Sequence, residues 1–479
     1  MSEAASGEDL ADLELGADAM RELGSKVLER CIDHVARLGE TASCGDVHDI
    51  EAIRSARLAL PEIGMPIDPL LDRLFDEWIP RSFTTPGPGY FAYVPGGGLY
   101  ATALADLIAE TTNRFVGVWP AAPALAEIEA SVIDWIAQWM QFPPTARGLL
   151  TSGSSMSTWI AITTARECRL GTRIRDGVAY VSSQTHHCVA KALRLAGIAG
   201  DRVRVVPTDA SYRMDLDALR RAIESDRDGG LCPFFVASTA GSVHFGAVDP
   251  MDEVADIADE YGLWHHVDGA YGGFFHVVPE FRTILRGLPR ADSLALDPHK
   301  GLFLPYGTGA LLVRDGADLR RVHGASADYL PSNPDDEVYD IASYGPELSR
   351  PFRGLRIWLP MMLYGAARFR AAIAEKRSLA VLAHERIAAL PNIRVALPPT
   401  LSLFAFRIEH PDRSPEDNDR STRDLIDGVT ALGRVMISGC RESGRDFARV
   451  CVLSFRSRKS QIEHLVADVA DVAARTGRT

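Results

Sequence analysis

A chain of 479 residues with 46% hydrophobic and 24% charged residues has the make-up of a globular enzyme, long enough for two or three domains. Its formal net charge of −13 argues against nucleic acid or an anionic membrane surface as a partner, and no apolar run is long enough to span a bilayer. The acidic start, Met1 to Ala5, lacks the apolar core of a secretory signal, and seven cysteines without a CxxC pair read as reduced thiols, so a cytoplasmic location is expected.

Between Leu13 and Leu38 the apolar residues Leu15, Met20, Leu23, Val27, Leu28, Cys31, Ile32 and Val35 fall at helical spacing. Shorter helical patterns cover 47–58 and 67–78. The stretch 84–98 is rich in proline and glycine and carries Tyr90, Phe91 and Tyr93, which reads as an inter-domain connector or the rim of a binding site. A helical pattern at 125–140 follows, and then the chain alternates. Strands are predicted at 148–151, 178–182, 203–206, 234–238, 265–267, 294–296 and 309–313, with helices at 158–169, 188–197, 216–225 and 251–261 between the earlier ones. That order argues for an α/β fold with a mainly parallel sheet between layers of helix. The link from Lys300 to Gly309 is too short for a crossover helix, so the last strand is predicted antiparallel.

A long turn-rich segment, 322–349, contains Pro331, Asn333-Pro334 and Gly345-Pro346 and reads as a mobile lid or binding loop. A helix at 352–373 leads into mixed helical and strand signals at 380–389, 401–406, 423–432 and 450–454. The domains expected are an N-terminal helical segment, 1–85, a large α/β domain, 86–373, and a small α+β domain, 374–479.

Three stretches carry chemistry. Thr151 to Thr158 ends a strand and opens a helix with four serines and Gly153. Backbone N–H groups and hydroxyls there form an anion site, and a plain serine N-cap is the other reading. Further on, Trp264 to Gly273 is a short strand ending in Asp268 and small residues, and Ser293 to Phe303 is a second ending in Asp297-Pro298-His299-Lys300-Gly301. A lysine at a strand end is either a surface residue or a desolvated amine of lowered pKa that forms a Schiff base. An aspartate at the neighbouring strand end favours the second reading. Pyridoxal 5'-phosphate (PLP) needs a lysine for its aldehyde and a carboxylate for its pyridine nitrogen.

Asp268-Gly269-Ala270-Tyr271 and Asp297-Pro298-His299-Lys300 resemble the signatures of the group II PLP-dependent amino-acid decarboxylases, the aromatic-amino-acid and glutamate decarboxylase family of fold type I. The resemblance runs from about Pro61 to near the C-terminus. It implies a seven-stranded sheet with one antiparallel member, a homodimer packed through the N-terminal helices, and decarboxylation at Cα of an L-amino acid through a Lys300 aldimine and a quinonoid. It further implies that Ser154 and Ser155 contact the phosphate, that His186 stacks on the pyridine ring, and that Ala270 packs on its other face. Ser242 or His244 would lie at the cofactor's oxygen edge, and His299 would fix the phosphate or the loop. Tyr93 and Val94 would line the substrate pocket. No metal is expected.

Four positions depart from the family. Val94 and Thr85 replace bulky aromatics, which implies a wider pocket or a substrate other than a catechol or indole amino acid. Asp297 stands where asparagine is common, and is expected to cap its local backbone or accept from a hydroxyl. Ile341 stands where a loop tyrosine is associated with protonating Cα, leaving Tyr339 or Tyr344 as the substitute donor, with Tyr339 preferred. Without a donor, oxygen would divert the reaction to aldehyde, ammonia and CO₂. β-Elimination from an S-substituted cysteine is a further PLP-dependent outcome.

Overall fold

All seven strands of the predicted sheet form in the computed structural model, which describes residues 13–324 and 338–476. They are β1 (Arg147–Thr151), β2 (Gly177–Ser182), β3 (Val203–Val206), β4 (Cys232–Thr239), β5 (Trp264–Gly269), β6 (Ser293–Leu296) and β7 (Gly309–Val313), hydrogen-bonded in the order β1-β7-β6-β5-β4-β2-β3. β7 runs antiparallel to both of its neighbours, β1 and β6, and the other pairs are parallel. Every residue of β2, β5, β6 and β7 is buried, as expected for strands covered by helices on both faces.

The N-terminal helix α1 (Ala17–Arg37) has no buried side chain. It is tied to the segment after it by ion pairs of Lys26 with Asp68 at 2.9 Å and Arg30 with Asp76 at 2.6 Å. Between them the helix expected over 47–58 shrinks to Ile50–Arg54, which the Asp49 carboxylate caps. Helices α2 (Tyr100–Thr112) and α3 (Pro123–Trp139) precede the sheet, and α4 (Ser154–Leu170), α5 (His187–Leu195), α6 (Leu216–Asp228) and α7 (Met251–Tyr261) connect its strands.

The helix expected over 352–373 is two helices. α8 (Gly354–Tyr364) and α9 (Ala366–Ala388) meet at Gly365, whose φ of +74° reverses the backbone. α9 is 23 residues long and crosses the expected domain boundary at 373/374. Its Phe369 and Ile373 pack in the core of the large sheet, while Leu379, Ala380, Ala383 and Ile387 pack in a second core.

That second core lies under an antiparallel sheet of order β10-β11-β9-β8, made of β8 (Ile393–Val395), β9 (Leu403–Ile408), β10 (Ser438–Glu442) and β11 (Arg445–Cys451). Helices α10 (Pro415–Ala431) and α11 (Lys459–Thr476) complete it. One early segment joins this unit. Phe91 is fully buried in the small core, donates from its N–H to the Met436 carbonyl at 2.9 Å and accepts from the Cys451 N–H at 2.9 Å. Residues around Phe91 therefore pack with the C-terminal unit, although they fall within 86–373. Of the expected lid, residues 325–337 lie outside the described residues.

Candidate active site

With every strand but β7 pointing the same way, the turns after them gather along one sheet edge, where ligands of such folds bind. A cavity of about 480 Å³ opens there, lined by Ser154, His186, Asp268, Ala270, Asp297, His299 and Lys300 among others. Asp268 is the penultimate residue of β5. Lys300 sits in a one-turn helix after β6, the parallel neighbour of β5. Sheet pairing thus brings together two residues that are far apart in the chain.

Asp297 links the two sides of the cavity floor. Its Oδ2 lies 2.8 Å from Lys300 Nζ, and its Oδ1 accepts from the Ser154 N–H at 2.7 Å. It caps neither its own turn nor, among the described residues, accepts from a hydroxyl. Burial works against the Lys300 ammonium, but the Asp297 carboxylate, with Asp268 beyond it, outweighs burial and holds Lys300 above the usual lysine range. The lowered pKa expected from desolvation is therefore reversed by one neighbour. Asp268 is shifted upward by burial, against the Ala270 N–H at 3.1 Å and the nearby His186 and Lys300. A cation placed beside it would favour its charged form.

His186 is the N-cap of α5, and its Nδ1 accepts from the Cys188 N–H at 3.3 Å. Burial lowers its pKa, so the ring is neutral and its proton is on Nε2. His299 Nδ1 donates to the Thr308 carbonyl at 2.8 Å, and burial lowers its pKa too. The N-cap of α4 is Gly153, not a serine. That frees the Ser154 hydroxyl, which is buried without a partner, as is that of Thr239. Both residues line the cavity. The orphaned Ser154 hydroxyl, at the N-terminus of α4, fits a phosphate, which accepts without donating, whereas Thr239 lies at the end of β4.

The family described as "Pyridoxal-dependent decarboxylase conserved domain" matches residues 52–409. The chain belongs to this family. It is 31% identical over 467 residues to an aromatic-L-amino-acid decarboxylase of Bacillus atrophaeus, covering 96% of this chain and 97% of that one. It is 29% identical over 406 residues to a 4-hydroxyphenylacetaldehyde synthase of Rhodiola rosea, covering 82% of each chain. Among solved structures, Oryza sativa TDC with PLP and tryptamine superposes with a TM-score of 0.92 at 27% identity, over 97% of this chain and 99% of that one. This decarboxylase is a PLP-dependent carboxy-lyase of fold type I.

Two of the expected site residues lie elsewhere in the decarboxylase. Ser242 is buried, and its Oγ accepts from the Ala247 N–H at 3.2 Å. The cavity wall at this turn is Thr239, Gly241 and Val243. The other candidate there, His244, sits 3.6 Å from the Glu442 carboxylate. Tyr339 is buried, stacks on Tyr344 with centroids 4.9 Å apart, and donates its hydroxyl to the Gly148 carbonyl. Gly148 is at the amino end of β1, and the Ser154 turn follows its carboxyl end. Three residues of strand, about 10 Å, separate Tyr339's partner from the cavity edge.

Tyr93 and Val94 both line the cavity. Tyr93 has a φ of +51°, costly for a residue with a side chain, and three contacts hold it. Its N–H donates to Ser438 Oγ at 3.0 Å, Arg449 Nη2 donates to its carbonyl at 3.2 Å, and Arg449 Nη1 donates to Ser438 Oγ at 3.0 Å. Gln184 is a further lining residue that no motif pointed to. Its Nε2 donates to Glu442 at 2.8 Å, and its Oε1 is buried without a partner.

Proposed function

We propose that this decarboxylase releases CO₂ from Cα of an aromatic L-amino acid, with Lys300 as the residue that holds PLP. The convergence of Lys300, Asp268 and neutral His186 on one cavity carries the reading. The aromatic substrate is supported by the relatives and by the aromatic wall at Tyr93, which stacks on Phe83 with centroids 6.3 Å apart. Val94, in place of a bulkier side chain, leaves room for the ring.

When bound, PLP supplies the electron sink for the pair left behind by CO₂. Ser154, Ser155 and His299 hold its phosphate end. The Asp268 carboxylate keeps the pyridine nitrogen protonated, and the Ala270 methyl leaves space for the ring. His186 presents its Nε2–H to the cavity, where it can donate to the substrate carboxylate and orient the bond that breaks. Tyr93 and Val94 exclude water from that bond. The working unit in this reading is a homodimer, supported by an α1 with no fully buried side chain in its own chain.

A second outcome is favoured by one observation. Ile341 holds the position where a loop tyrosine is expected, and Tyr339 and Tyr344 are both buried away from the cavity. If no residue of the loop, including those at 325–337 outside the described residues, supplies a proton to Cα, O₂ and water would take the amino acid to aldehyde, CO₂, ammonia and hydrogen peroxide, as the similarity to an aldehyde synthase allows.

The test is incubation with phenylalanine, tyrosine, tryptophan and dihydroxyphenylalanine, recording product mass and oxygen uptake together. Amine without oxygen uptake is expected, and aldehyde with one oxygen consumed per turnover would establish the second outcome. Borohydride reduction and peptide mapping should place the cofactor on Lys300. A label on another lysine would overturn the assignment.

A further inference from the structure

We propose that Asp297 sets how tightly this decarboxylase holds its cofactor, by acting as an internal anion at the place where the cofactor's phosphate comes to rest. The proposal rests on the phosphate lying at the N-terminus of α4 and is independent of the substrate.

The Asp297 side chain is buried, and both of its oxygens are engaged by groups that a phosphorylated aldehyde needs. Oδ1 takes the Ser154 N–H at 2.7 Å, at the opening of α4. Oδ2 takes the Lys300 ammonium at 2.8 Å. Among the described residues no second cation compensates for the carboxylate. His299 Nε2 lies 3.7 Å away, but burial keeps that ring neutral. The Ser154 hydroxyl beside it has no partner, leaving a neutral donor next to a fixed negative charge.

A phosphate entering this end meets two costs. It is repelled by a carboxylate a few ångströms away, and it competes for an amide already bonded to that carboxylate. Lys300 must also leave Asp297 and lose a proton before its nitrogen can attack the aldehyde carbon. An asparagine of the same shape would keep the acceptor for Ser154 and turn its other arm into a donor. The aspartate therefore makes the cofactor easier to lose and its loading dependent on pH.

The experiment uses the full-length chain, freed of cofactor by dialysis, as wild type, Asp297→Asn and Asp297→Ala. Each is titrated at pH 7 with PLP, followed by the visible absorbance band, then with pyridoxal, which lacks the phosphate, and then with PLP against inorganic phosphate. For Asp297→Asn the Kd for PLP is expected to fall about tenfold or more, inorganic phosphate to compete better, and pyridoxal to change much less. The loading rate should reach half its maximum at a lower pH, because the ammonium loses its carboxylate. Asp297→Ala, which removes the charge without adding a donor, should fall between the two. An unchanged or raised Kd for PLP in both variants, with wild-type circular dichroism and Tm, overturns the proposal, since Asp297 would then be only a strut for Ser154 and Lys300. Equal tightening for PLP and pyridoxal overturns it as well, because the phosphate would play no part.

Discussion

The guanidinium of Arg449, on β11 of the four-stranded sheet, donates to the carbonyl of Tyr93 in the cavity wall at 3.2 Å. With Ser438 it holds Tyr93 in a left-handed conformation that costs about 1–3 kcal/mol to maintain. Arg449 is buried and has no carboxylate partner among the described residues, so its hydrogen bonds serve this loop. Arg449→Lys keeps the charge but cannot bond Ser438 and Tyr93 from one planar fork. KM for the amino acid should rise about tenfold with kcat within about threefold and the cofactor band unchanged. An unaltered KM would show that the loop holds its shape without the clamp.

Asp268→Asn removes the carboxylate while keeping the side chain's shape. A loss of about 10²- to 10³-fold in kcat is expected, because electrostatic support of the charge that develops in the ring is a large part of catalysis. Steady-state kinetics on cofactor-saturated protein reads this directly. Near-normal turnover would mean that Asp268 is not the partner of the pyridine nitrogen.

Tyr339→Phe should leave the products unchanged, because the hydroxyl is committed to the Gly148 carbonyl rather than to the cavity. The expected effect is on stability. Losing a buried hydrogen bond and leaving a carbonyl unpaired costs about 1–2 kcal/mol, visible in a thermal melt. A shift from amine toward aldehyde would show that Tyr339 does reach the reacting carbon.

The two histidines of β5 predict a pH dependence of stability. His265 and His266 are fully buried, and burial pushes the pKa of each down to about 3, against about 6.5 in an unfolded chain. Below pH 6.5 the unfolded state therefore binds more protons, and the stability these residues contribute, complete above 6.5, is lost as pH falls toward 3. Each can cost about 1.4 kcal/mol per pH unit in that window. Asp249, raised to about 6 by burial, acts in the opposite sense between about 6 and 4. The histidine share is therefore isolated by difference. The fall of Tm below pH 6.5 should be shallower in His265→Gln, whose amide can still reach Ser238, than in wild type. Identical slopes would contradict a neutral buried His265.

Removal of residues 1–60 should give insoluble protein. α1 has no fully buried side chain within its own chain, and Leu28 and Ile32 stay 39% and 40% exposed, a stripe that fits a second copy. A soluble, active monomer after this truncation would exclude that packing.

The sheet and the two residues at its centre are legible in the sequence because a strand end is marked by its own residues. Asp268 and Lys300 each follow a short apolar run and precede small residues, so local pattern and site coincide. The turn after β4 shows where that stops. Thr239, Gly241 and Val243 face the cavity while Ser242 turns back to Ala247. The period-two alternation would have separated them had β4 been carried one residue further, to Thr239. Gly365 hides in a pattern of apolar spacing that runs through it, because spacing does not record the sign of φ. Arg449 and Tyr93 are 356 residues apart, and no local rule joins them. Asp297 was visible as a departure, but its effect on Lys300 depends on a distance that only the folded turn sets.

The backbone bonds of Phe91 to Met436 and Cys451 also fix an order of events during synthesis. The residues proposed to hold the cofactor lie between 154 and 300, well before these partners in the chain. The strand partners that set the neighbouring Tyr93 emerge last. The wall against which an amino acid is selected is therefore complete only once β11, the last strand among the described residues, has been made.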